Sequence, residues 1–73
     1  MSMEVQVLDA VALMKDLPDK GLRKGQVGTV VEALGRDAFE VEFSDAEGQA
    51  YALAALKRTQ LMILHYQHIA VGQ

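Results

Sequence analysis

Residues 38–43, Ala38-Phe39-Glu40-Val41-Glu42-Phe43, alternate apolar and acidic side chains without a break. An extended chain sends successive side chains to opposite faces, so Phe39, Val41 and Phe43 turn one way and Glu40 and Glu42 the other. The stretch predicts a strand with one dry and one wet face, as in an antiparallel sheet laid over a core.

Turn signals bracket that strand. Gly35-Arg36-Asp37 before it reads as a hairpin turn, and the β-branched run Thr29-Val30-Val31 places a strand from Val27 or Thr29 to Leu34 ahead of the turn. Asp45-Ala46-Glu47-Gly48 after it reads as a second turn, leading to a fourth strand over residues 49–54. In that strand Ala50, Ala52 and Ala54 alternate with Tyr51 and Leu53, and the alanines are equally compatible with a short helix. Residues 56–60 read as a single tight helical turn and 61–65 as the last strand.

Towards the amino end, Lys24-Gly25-Gln26-Val27-Gly28 marks a tight bend, and Asp16-Leu17-Pro18-Asp19-Lys20-Gly21 marks a loop in which Pro18 fixes φ. The first strand is expected over residues 11–14, with 5–8 either extending it or forming a flexible lead-in. A meander closed by flanking strands gives an all-β fold: a small five-stranded SH3-like barrel with a short helical turn before its last strand. The chain divides into a lead-in (1–8), the barrel (9–65) and a tail (66–73). A chain of 73 residues has room for one core, and with no cysteine neither disulfides nor a thiolate metal site can reinforce it. Its 51% hydrophobic content is that of a folded chain.

Several stretches together resemble a family of small uncharacterised bacterial proteins catalogued under a domain-of-unknown-function heading. They are Asp9-Ala10-Val11-Ala12-Leu13, Leu17-Pro18, Gly21-Leu22-Arg23-Lys24-Gly25-Gln26-Val27-Gly28-Thr29-Val30-Val31-Glu32 and Phe39-Glu40-Val41-Glu42-Phe43. The resemblance runs from Asp9 to about His65 and implies a stand-alone SH3-like barrel. It implies no activity, cofactor or binding residue. Gly25-x-x-Gly28-x-Val30 is also similar to the glycine-containing turn of ribosomal and transcription-factor domains of the KOW type, although any tight bend before a strand favours glycine.

Chemistry-bearing residues are sparse. His65 and His68 stand three apart, a spacing that brings two imidazoles together on a helix and sends them to opposite faces on a strand. No third ligand accompanies them, so no metal site is expected. Ser2 and Ser44 are the only serines, and neither has a base and an oxyanion site in view. The expectation is a non-enzyme without cofactor or evident small-molecule substrate. No secretory signal opens the chain and no apolar run reaches the roughly 20 residues of a membrane span, which makes the cytoplasm the expected location.

Charge supplies the remaining signals. Glu32, Glu40 and Glu42, with Asp45 and Glu47 at the far turn, form a candidate acidic face for a basic protein partner. Arg23 and Lys24, beside Lys15 and Lys20, form with Lys57 and Arg58 a candidate basic loop patch. Residues 61–64 are apolar on both faces, so Met62, Leu64, Tyr66 and Ile69 are candidates for self-association, with a tail folded back over the strand as the rival. The net charge of -3 argues against nucleic acid, whose binding rests on clustered Lys and Arg. The few aromatics, Phe39, Phe43, Tyr51 and Tyr66, do not furnish a groove for proline-rich peptides. These signals point to a protein-interaction module, a homodimer or one half of a hetero-complex, acting through its sheet face and loops. The alternatives are an RNA-associated KOW-like barrel and an antitoxin-like or immunity protein that binds a basic partner.

Overall fold

The computed structural model describes residues 5–64. The five expected strands are present: β1 (Ala10–Leu13), β2 (Val27–Ala33), β3 (Ala38–Ser44), β4 (Ala50–Lys57) and β5 (Leu61–Leu64). All pairings are antiparallel, in the order β4-β3-β2-β1-β5, and the only helical pieces among the described residues are 3-10 turns at Pro18–Lys20 and Arg58–Gln60. Sheet order and the 3-10 turn before the last strand are those of an SH3-like barrel, with a seam between β4 and β5 where no ladder closes.

A single sheet with no second layer can dry one face only by curling on itself. The buried cluster shows this, gathering Val11 and Leu13 of β1, Val30 of β2, Phe39, Val41 and Phe43 of β3, Ala54 and Leu56 of β4 and Leu61 of β5. The alternation in β3 is thus realised, with its phenylalanines and valine inside and Glu40 and Glu42 half-buried on the outer face.

The opposing strand adjusts to those large residues. Phe43 faces Ala52, Val41 faces Ala54 and Phe39 faces Leu56, so small side chains fill the inner side of β4 where the phenylalanine and valine are bulky. β4 is a strand throughout and runs to Lys57, three residues beyond its expected end, which shortens the helical turn from 56–60 to Arg58–Gln60. The same close fit explains Gly28: a Cβ there would lie 2.7 Å from Val41 Cγ1 and 2.8 Å from the Glu42 carbonyl oxygen.

Ahead of β1 the chain neither extends the strand nor leaves the domain. Val5 is buried, and residues 6–9 make a turn in which the Asp9 N–H donates to the Gln6 carbonyl (3.0 Å) and the Gln6 N–H to Asp9 Oδ2 (2.8 Å). Leu8 pays for this turn with a φ of 78°. β1 starts at Ala10 and ends at Leu13, one residue earlier at each end than expected. His65 and the tail 66–73 lie outside the described residues.

Candidate interaction surface

The acidic face is assembled by a bulge. β2 and β3 pair as Val30↔Val41 and then as Glu32↔Glu40, leaving Val31 unmatched. Without the extra residue Glu32 would face Phe39, on the core side; with it, Glu32 points outward and Ala33 takes the place opposite Phe39. Glu32 therefore stands directly across from Glu40, a like-charge pair that costs roughly 0.2–1 kcal/mol where it stands. Glu42 follows two residues along, between Thr29 of β2 and Leu53 of β4.

Asp45 is engaged elsewhere. Its Oδ1 accepts the N–H groups of Glu47 (3.0 Å) and Gln49 (2.9 Å), so this carboxylate holds the β3–β4 turn. Glu47 is exposed within that turn.

Beside the carboxylates lie exposed apolar side chains. Leu53 is 60% exposed next to Glu42, and Ala55 stands outward opposite Glu40. On the other side of the outer face Val27, Ala12 and Met62 form one cross-strand row, with Met62 50% exposed and Ala12 buried between its neighbours. Leu64, half-buried, begins the next row beside Ala10. Tyr66 and Ile69 lie outside the described residues, as do Ser2 and the pair His65 and His68.

Four of the basic residues line two cavities. Arg23 and Lys24 line a cavity with Asp16, Pro18, Gly21 and Leu22, where the Lys24 N–H donates to Asp16 Oδ1 (2.8 Å). Arg58 lines another with Arg36, Asp37, Phe39 and Val5. Its backbone N–H donates to the Asp37 carbonyl (2.7 Å) and its Nη1 to the Leu61 carbonyl (3.0 Å). Lys57, exposed at the end of β4, pairs with Ala38. Arg36, a hairpin residue that the charge pattern did not single out, thus joins Arg58.

Leu53 was also missed, because β4 is apolar at nearly every position and shows no alternation. The usable signal was the size of Phe39, Val41 and Phe43, which forces small partners inside and the larger residues of β4 outside. Among the described residues no three His, Cys, Asp or Glu side chains gather as a metal site would need, and no helix is long and apolar enough to cross a membrane.

A family model described as Domain of unknown function (DUF4926) matches residues 7–63, and the chain belongs to that family. No curated protein and no solved structure matches it.

Proposed function

We propose that this DUF4926 domain is a non-enzymatic protein-interaction module that docks a basic protein on the outer face of its sheet. The observation that carries the reading is the composition of that face. Glu32, Glu40 and Glu42 stand beside water-exposed Leu53, with Val27 and Met62 further across, and a curled sheet has no structural use for large apolar groups on its wet side. Carboxylates next to such groups suit a partner that brings cations at its rim and apolar side chains at its centre. The net charge of -3 weighs against an RNA track, which needs clustered Lys and Arg.

The test is capture from an extract of the native host by the immobilised domain and by its Glu40→Lys, Glu42→Lys double variant, with cross-links mapped on whatever binds. A partner retained by the natural surface, cross-linked to β2, β3 or β4 and lost from the charge-reversed variant is the expected result. Equal capture by both would sink the reading.

A further inference from the structure

We infer that the outer edge of β4 is an open docking edge for an extended, basic strand of another protein, which adds to the sheet beside Leu53 and Ala55.

The inference starts from the direction of the backbone groups. In an antiparallel ladder hydrogen-bonded pairs alternate with non-bonded ones, and the groups of the non-bonded pairs point to the far side of each strand. The bond from the Arg58 N–H to the Asp37 carbonyl fixes the phase between β3 and β4. Stepping by two along the register, Phe39 with Leu56, Val41 with Ala54 and Phe43 with Ala52 are bonded pairs. Leu53, Ala55 and Lys57 therefore aim their N–H and C=O groups away from the sheet.

The protein closes its border around the turn that joins β4 to β5. On β5 the same counting, phased by the bond from the Met14 N–H to the Gln60 carbonyl, leaves Leu61 and Ile63 facing outward. Leu61 is satisfied on both sides: its N–H donates to the Arg58 carbonyl and its C=O accepts Arg58 Nη1. On β4 the Lys57 N–H donates to Gln60 Oε1 (2.8 Å). No backbone hydrogen bond among the described residues engages the outward groups of Leu53 and Ala55. An unprotected run of this kind is what an added strand pairs with.

Charge selects the occupant. Ala55 faces Glu40 and Leu53 faces Glu42, so an incoming strand would lie two strand spacings, about 9.6 Å, from the carboxylate-bearing β3. Ala55 presents only a methyl group between them. A Lys or Arg opposite Ala55 can extend over that methyl to Glu40, while an apolar residue on the same face meets Leu53. An acidic strand would be repelled at the same positions.

This inference rests on the reading of the outer face as a docking surface, and the two can fail separately. The probe is a capped peptide of about nine residues with Lys and Val taking turns at every second position, so that both fall on one face, and Thr at the positions between, long enough for one strand. It is compared with a Glu/Val counterpart and with a Lys/Val peptide N-methylated on its pairing edge. The readout is amide hydrogen exchange in the full chain. The Lys/Val peptide should slow exchange at Leu53 and Ala55 about tenfold. The other two peptides should not, and Glu40→Gln should weaken binding about threefold, the scale of an exposed ion pair. Binding that leaves both amides fast, or no binding at millimolar peptide, would overturn the edge while leaving face docking to the cross-link map. Protection of these amides that grows with protein concentration alone would also overturn it, because the occupant would then be a second copy.

Discussion

Gly28→Ala tests the packing on which the whole surface rests. Gly28 lies in β2 between Val11 of β1 and Phe43 of β3, and an added Cβ would meet Val41 Cγ1 at 2.7 Å, the Glu42 carbonyl at 2.8 Å and Phe43 Cδ2 at 2.9 Å. A flexible side chain could move aside, but the carbonyl belongs to the ladder and Phe43 is fully buried. Overpacking of a filled core costs about 1–3 kcal/mol, and contact with backbone puts this case near the top, at about 3 kcal/mol. For a domain of this size that lowers Tm by roughly 12–24 °C, taking about 4–8 °C per kcal/mol. The loss is a large share of the roughly 4–11 kcal/mol expected for such a chain. Urea unfolding followed by circular dichroism measures it. Gly48→Ala is the comparison: Gly48 has φ 81° and nothing within 4 Å of its would-be Cβ, so its cost is only conformational, about 1 kcal/mol. If Gly28→Ala costs no more than Gly48→Ala, the close approach of β2 and β3 is not as described.

Leu8→Gly should raise the unfolding midpoint or leave it level, with a gain of up to about 1 kcal/mol, because Leu8 holds φ 78° with its side chain 77% exposed; a clear loss would show that the Leu8 side chain makes a contact of its own. Glu40→Lys should stabilise by about 0.2–1 kcal/mol at low salt by turning a like-charge cross-strand pair into an opposite one, and the gain should shrink as salt is added. A destabilised variant in thermal melts would contradict the Glu32↔Glu40 register. Asp45→Ala removes the acceptor of two turn N–H groups and should cost about 0.5–2 kcal/mol, with amide exchange at Glu47 and Gln49 accelerated; unchanged exchange there would rule out the turn-holding role.

Where one face of a strand is apolar and the other charged, side-chain direction is legible from sequence, and 38–43 shows it. The order of turns and strands follows from Gly, Pro and Asp punctuation. β4 was legible as an element but not as a surface, since an apolar residue at nearly every position leaves direction to the volume of the strand opposite. The carboxylates of the candidate acidic face were legible as a group, but where they stand depends on the Val31 bulge, which a run of Thr, Val and Val does not announce. Asp45 was counted with the face because an acidic side chain looks the same in sequence whether it meets a partner or its own backbone. Arg23 and Lys24 line one cavity and Arg36 and Arg58 another, groupings set by the packed fold rather than by any single segment.

The three residues between β4 and β5 cover the adjoining stretch of each terminal strand. Gln60 occupies one backbone donor on β4, and Arg58 covers both outward groups of Leu61 on β5. Because those two strands are the terminal members of one ladder, uncovering both would let copies stack end to end without a closing symmetry, as filaments grow. A single turn of chain thereby covers the border where one terminal strand passes into the other, and leaves the run at Leu53 and Ala55 as bare β-strand.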